Sequence, residues 1–89
     1  MKPDFQEIEA LGSKLGQAAL LAFVQLCPEV RTATSEKLEA ACAAMRAKGS
    51  DAYDELIRDA KDAPWMAQIA FNTAVLTLAH EGVKVMRGI

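Results

Sequence analysis

The residues of this chain whose types could do chemistry are few, and the first of them are His80 and Glu81. Together they match the beginning of HExxH, the helical motif in which two histidines hold zinc and the glutamate acts as a general base. The second histidine would be residue 84, which is Lys84, and the chain has one histidine in all. The motif is incomplete, so we expect His80 to be a surface residue.

The two cysteines, Cys27 and Cys42, are the remaining candidates for metal or redox chemistry. Two thiols and one imidazole cannot complete a closed tetrahedral zinc site within one chain. Cys42 falls on the apolar stripe of a predicted helix. Cys27 falls at the end of another helix, away from the N-terminal amides that lower a thiol pKa. We therefore predict no catalytic residue, no metal and no cofactor, and expect a protein that is not an enzyme.

Two glycines one helical turn apart, Gly12 and Gly16, precede Ala19 near one edge of the first predicted helix. Small residues at this spacing let two helices approach closely. One interpretation is a dimer interface. The other is close packing of the first helix on the last helix within the monomer.

Two amides, Gln68 and Asn72, fall near the middle of the apolar arc of the last predicted helix. Buried amides need hydrogen-bond partners and can fix the register between packed helices. They are interpreted either as hydrogen-bonded core residues near a loop or as part of a self-association surface. In a symmetric dimer, we expect Asn72 to lie near the axis.

Four carboxylates, which we call the acidic stripe, share the exposed face of one predicted helix: Asp51, Glu55, Asp59 and Asp62. Such a stripe is suited to docking a basic partner or to mimicking nucleic acid. It is also typical of a solvated helix face, part of which stabilises the helix N-terminus. The helix follows Gly49-Ser50 as in a helix-turn-helix, but a recognition helix presents Arg, Lys, Asn or Gln to DNA. With a formal charge of −2 as well, we expect no direct nucleic-acid contact.

Composition favours helices packed at short range. The 89 residues suffice for one domain spanning 1–89. They are 52% hydrophobic but only 6% aromatic, and much of the hydrophobic content is alanine, which favours helix. The N-terminus lacks a signal-peptide core, and the longest apolar run, Ala18 to Val24, is too short to span a bilayer. With so few cysteines, these features predict a cytoplasmic protein without membrane contact.

Caps and breakers divide the chain into four predicted helices. The first ends before Pro28, the second begins after a cap at Thr34 or Ser35, and Pro64 lies in the first turn of the last. Gly49-Ser50 is interpreted as a C-terminal glycine followed by a new cap, which makes a tight corner. We predict an all-α fold, either a four-helix bundle or a compact four-helix array. Its helices cover about 4–27, 34–48, 51–62 and 64–87.

The first and last helices carry more apolar surface than the two short helices can cover. The second half of the first helix is apolar nearly all round, and the apolar arc of the last is so wide that it must touch at least two neighbours. Surplus apolar surface favours self-association or a protein partner. The residues predicted for this role are Leu20, Leu21, Val24, Trp65, Ile69, Asn72, Leu76 and Val83.

The function that these patterns favour is a non-enzymatic, homodimeric protein–protein interaction module that regulates, adapts or inhibits a larger protein. One alternative is a small acidic inhibitor of the phage or mobile-element type, aimed at a nucleic-acid-binding host machine. Another is a helical bundle that holds a small apolar ligand between the first and last helices, oriented by Asn72 or Gln68.

Overall fold

The chain folds into three long α-helices, α1 (Phe5–Leu26), α2 (Ser35–Asp62) and α3 (Ala67–Arg87). The computed structural model describes the backbone of residues 5–88 and the side chains of residues 12–88. Helix accounts for 94% of the described chain, and this part contains no strand. The prediction of an all-α fold is confirmed. The prediction of four helices is wrong, because residues 5–88 form three α-helices.

The error lies at Gly49-Ser50, where we predicted a corner between helices 34–48 and 51–62. The backbone passes through both residues as one α-helix, and Gly49 does not have a positive φ. A glycine inside a helix costs only about 1 kcal/mol relative to alanine. The buried face continues in helical register on both sides, through Ala41, Met45, Ala52 and Leu56. That continuity outweighs the glycine, and it leaves no turn for a helix-turn-helix motif.

The predicted start of the first helix at residue 4 lies outside the described residues, and the other predicted boundaries lie within a few residues of those in the structure. Pro28 opens a short 3₁₀ helix (Pro28–Thr32) directly after α1. The hydroxyl of Thr34 caps α2 by accepting a hydrogen bond from the Lys37 amide at 3.3 Å. A 3₁₀ turn (Pro64–Met66) takes the place of the first turn predicted for the last helix. Gly88 ends α3 in the left-handed conformation that favours glycine (φ 68°).

Helix α3 is central, as its wide apolar arc predicted, because it packs against both α1 and α2. The contact between α2 and α3 is the most extensive, whereas α1 lies mainly on α3 and touches α2 little. Arg87 Nη2 donates to the carbonyl of Leu26 at 3.3 Å, so the last turns of α1 and α3 lie together. These two helices run parallel, and α2 runs antiparallel to both.

The core is built largely from small side chains. Six of the fourteen buried hydrophobic residues in the described region are alanines, so the helix backbones lie close together. One close approach is at Gly82. A Cβ atom added there would lie 2.7 Å from Phe23 Cδ2 and 2.8 Å from Met45 Sδ. Side chains from α1 and α2 thus meet over the backbone of α3, in a molecule of 46 × 18 × 18 Å.

Candidate functional site

A line of exposed residues, here called the α3 apolar stripe, consists of Trp65 in the 3₁₀ turn before α3 and of Ile69, Asn72 and Leu76 on α3 itself. The three large apolar side chains among them are 79%, 56% and 48% exposed, in chain order. The stripe advances by four, three and four residues, which is the spacing of a coiled-coil seam. Its α-helical part, from Ile69 to Leu76, extends over about 10 Å at 1.5 Å per residue. A helix surface of this kind, without a neighbour, is suited to pairing with another helix.

The same spacing continues into the core through Ala79, Val83 and Met86, which are buried. One seam on α3 is therefore covered in its C-terminal half and open in its N-terminal half. Val83, which we predicted for self-association, lies in the covered half and is only 7% exposed. It packs in the core and does not belong to the open surface.

The two amides on α3 contact each other at the surface. Gln68 Nε2 donates to Asn72 Oδ1 at 3.1 Å, and both residues are exposed. Their predicted placement in the middle of a buried apolar arc is wrong, because both side chains are exposed, although Ala70 and Ala74 in the same stretch of α3 are buried. Their position leaves them accessible to a partner helix that would pack on the α3 apolar stripe.

The predicted apolar residues of α1 are also exposed. Leu20, Leu21 and Val24 form what we call the α1 apolar patch. They occupy the side of α1 that is turned away from its buried residues Ala19 and Phe23. Leu20 additionally lines a groove between α1 and α2. The sequence-based prediction of an apolar surplus on the second half of this helix therefore coincides with exposed surface.

A groove of about 880 Å³ separates α1 from α2. Its α1 wall extends from Gly12 to Leu20, its α2 wall from Cys42 to Tyr53, and Leu78 of α3 contributes to the floor. The lining is mainly apolar, and the volume falls within the range of about 300–1,000 Å³ that is usual for small-molecule sites. One alternative from the sequence predicts a ligand site between the first and last helices. The structure places this groove between α1 and α2, away from the amides of α3.

The two glycines of α1 have different roles in this groove. A Cβ atom at Gly12 would lie 2.8 Å from Tyr53 Cε2, so α1 and α2 touch there. A Cβ atom at Gly16 would meet nothing within 4 Å, and the same holds for Gly49 on the opposite wall. Gly12 thus serves close packing on α2, not on the last helix as one interpretation held, while Gly16 leaves the groove open.

One charged side chain, Arg46, lines the groove. Its Nε donates to the carbonyl of Cys42 at 3.4 Å. The ion pairs among the described side chains do not include it. The groove therefore combines a mainly apolar lining with a single positive charge at its α2 wall. Sequence reasoning missed this site, because the false corner at Gly49 hid which faces of α1 and α2 oppose each other.

The acidic stripe is exposed along α2, as predicted. Within the described region, Asp59 forms an ion pair with its neighbour Arg58 at 3.7 Å, and the other three carboxylates are in none of the ion pairs found. Four carboxylates over about three turns give this side of α2 a negative potential. A basic partner could use that potential for orientation.

Cys27 is fully buried and belongs to a small polar cluster at the end of α1. Its thiol donates to Glu29 Oε2 at 2.9 Å, and the same oxygen accepts a hydrogen bond from Arg87 Nε at 3.3 Å. Burial and the neighbouring carboxylate raise the pKa of the Cys27 thiol. The hydrogen bonds from Cys27 and Arg87 lower the pKa of Glu29. The thiol therefore stays protonated as a local hydrogen-bond donor to Glu29, and Arg87 provides the link between the ends of α1 and α3.

The remaining chemical candidates are separated from one another. His80 is exposed on α3, and Cys42 is half-buried on the groove wall. Among residues 12–88, no three or more His, Cys, Asp and Glu side chains are arranged to hold a metal ion. None of the described helices has the length and hydropathy to cross a membrane.

Comparison with known proteins gave no match: no protein-family model, curated protein or solved structure matches the chain. The surfaces described above are therefore the basis for a functional proposal. They are the α3 apolar stripe, the α1 apolar patch, the acidic stripe and the groove between α1 and α2.

Proposed function

We propose that this protein is a non-enzymatic helical interaction module that forms a homodimer and regulates, adapts or inhibits a larger protein. The observation that carries the proposal is the α3 apolar stripe, whose three large apolar side chains, one in the 3₁₀ turn and two on α3, are about half or more exposed. Contiguous exposed apolar surface is uncommon on monomeric soluble proteins and marks interaction sites. The stripe is the proposed dimer contact, and the α1 apolar patch and the acidic stripe are left for the larger partner.

In the proposed dimer, the stripes of two copies pack against each other across a two-fold axis. Coiled-coil spacing lets the side chains of one stripe enter the gaps of the other. Burying a few hundred Å² of apolar area at about 25 cal/mol per Å² provides several kcal/mol before the costs of association. Asn72 lies at an inner position of the seam, where two copies could hydrogen-bond to each other.

The first test is the mass in solution, measured by size-exclusion chromatography with light scattering over a hundredfold range of protein concentration. The wild type should have the mass of a dimer, and Ile69→Glu should have the mass of a monomer because a carboxylate would be buried in the seam. Ala47→Glu, which places the same charge on an exposed position of α2, should remain dimeric. A wild-type monomer at every concentration would rule out the dimer.

The position of Asn72 has its own test. Replacing it with leucine removes the polar group that would fix register and the number of chains, so Asn72→Leu should change the oligomer size or make it polydisperse. An unchanged, monodisperse dimer would place Asn72 away from the axis.

A second candidate function is inhibition of a nucleic-acid-binding machine through the acidic stripe. It is supported by the exposure of all four carboxylates, three of them outside the ion pairs of the described region. Affinity capture with the wild type and with the fourfold variant Asp51→Asn, Glu55→Gln, Asp59→Asn and Asp62→Asn tests it. A nucleic-acid-binding partner should be retained by the wild type and lost by the variant. Retention by both would remove the electrostatic mechanism.

A further inference from the structure

The groove between α1 and α2 is open because each of its walls carries a glycine. At Gly16 and Gly49, which face each other from the two helices, even a Cβ atom would have no neighbour within 4 Å. The floor includes Leu15, Met45 and Leu78, which belong to the core. The opening is thus a concave, mainly apolar surface over core residues, with a volume of about 880 Å³. These are the usual properties of a small-molecule site.

The charge of the groove limits what it can bind. Among the described residues that line the groove, Arg46 is the one with a charge, and none is a carboxylate. Its Nε donates to a main-chain carbonyl, and the two Nη groups remain as donors. A guanidinium in this situation favours a planar carboxylate, which can accept two parallel hydrogen bonds. A cationic head group would be repelled at the same place.

The distance available for an apolar tail follows from the helix geometry. The close contact between Gly12 and Tyr53 bounds one end of the groove. Tyr53 is seven residues from Arg46, or about 10 Å along α2 at 1.5 Å per residue. An extended medium-length alkyl chain fits this distance. A partner helix would need a longer groove, continuous beyond the Tyr53 contact.

From these three observations we infer that the groove between α1 and α2 binds a medium-chain alkyl carboxylate, with its chain on the apolar floor and its carboxylate on Arg46. This activity goes beyond the proposed dimerisation, which uses α3. The two are separable, since the α3 apolar stripe does not line the groove.

Isothermal titration calorimetry with three ligands of one chain length tests the inference. They are decanoate, decanol and decyltrimethylammonium, each kept below the concentration at which it aggregates. Decanoate should bind one per chain, and decanol should bind about tenfold more weakly, because it lacks the charge-assisted hydrogen bonds. Decyltrimethylammonium should bind most weakly. Equal binding of all three, or no saturable binding of decanoate, would overturn the inference.

Three variants locate the site. Arg46→Gln should lower the affinity for decanoate about tenfold and leave that for decanol unchanged. Arg58→Gln removes an exposed arginine of α2 outside the groove and should change neither. Gly16→Leu should fill the groove without a clash and abolish binding of both ligands while the protein stays folded. Undiminished decanoate binding by Gly16→Leu would place the ligand elsewhere and overturn the inference.

Nuclear magnetic resonance gives a readout independent of affinity. Decanoate should shift the amide signals of Gly16 and Gly49 and leave that of Gly88, at the far end of α3, unmoved. Shifts confined to residues 65–76 would mean binding to the α3 apolar stripe and would overturn the inference. Ile69→Glu should bind decanoate with wild-type affinity, so failure of the dimer and failure of this site are distinguishable. If Gly16→Leu dissociated the dimer, the groove would be the contact with a second copy, and the inference of a bound alkyl carboxylate would be overturned.

Discussion

At Gly82 the packing of this molecule depends on the absence of a side chain. Phe23 from α1 and Met45 from α2 approach the backbone of α3 there more closely than a Cβ atom would allow. The sequence placed Gly82 on the apolar arc of its helix but gave no sign of this role. A glycine in a helix reveals a close contact only when the neighbouring helices are known.

We expect Gly82→Ala to destabilise the protein by about 1–3 kcal/mol, because the added methyl group forces Phe23 and Met45 apart. The matched control is Gly16→Ala, where the same change meets open space and should stabilise the protein by about 0.5–1 kcal/mol through helix propensity. Urea denaturation followed by circular dichroism measures both. If the two variants shifted stability alike, Gly82 would not be a close contact.

The Glu29 carboxylate should make stability depend on pH. Its folded-state pKa is lowered by hydrogen bonds from Cys27 and Arg87. It therefore contributes stability that is present above the pKa of an unfolded glutamate, about 4.3, and is lost as the pH falls through the lower folded pKa. Glu29→Gln should lose less stability than the wild type when the pH is lowered from neutrality through this range.

The measurement is the free energy of unfolding by urea at a series of pH values. The matched control is Glu39→Gln, which removes an exposed carboxylate of α2 that lies outside the cluster of Cys27, Glu29 and Arg87. Parallel curves for the wild type and Glu29→Gln would contradict the predicted role of Glu29.

At the scale of the helices, the predicted boundaries were right where a residue forces a helix to end or begin. The prediction failed where a residue is only compatible with a helix end. Pro28 cannot continue a helix, and the side chain of Thr34 caps α2. Gly49-Ser50 resembles a corner locally, but Met45 and Ala52 lie seven residues apart on one buried face. The preserved register was available in the sequence and was the stronger signal. The polar cluster of Glu29 and Arg87 joins residues 58 apart, which no local pattern shows.

Gly49→Ala distinguishes a continuous helix from a corner by the sign of its effect. In a helix with an open groove beside it, alanine should stabilise the protein by about 0.5–1 kcal/mol. If Gly49 were a corner glycine with a positive φ, replacing it with alanine would destabilise the protein. Thermal unfolding of Gly49→Ala against the wild type measures the difference, and a lower melting temperature would contradict a continuous α2.

At the scale of the whole molecule, the sequence predicted that apolar residues of the first and last helices are exposed. It did not predict where these residues lie relative to the neighbouring helices. Hydrophobic periodicity identified the residues of the α1 apolar patch and the α3 apolar stripe. It assigned Val83 to the same surface, because a pattern along one helix does not show where the neighbouring helix ends. The groove depends on how far α1 stands from α2, a distance set by packing on α3.

The uneven contact among the helices also has a kinetic consequence. The segment between α2 and α3 is only a few residues long, and these two helices share the largest contact. Their pairing closes a short loop, whereas docking α1 on α3 must close a loop that contains all of α2. We expect the α2–α3 hairpin to fold first and α1 to dock last.

The same order should hold in reverse during native-state fluctuations. Amide hydrogens of α1 should exchange with solvent at a lower opening free energy than those of α2 and α3, as measured by hydrogen exchange at low denaturant. Uniform exchange across the three helices would instead indicate a single cooperative unit. Since α1 is one wall of the groove, its detachment would expose the core of the α2–α3 hairpin. The first state reached on opening would then be this hairpin alone, with its apolar side chains exposed to solvent.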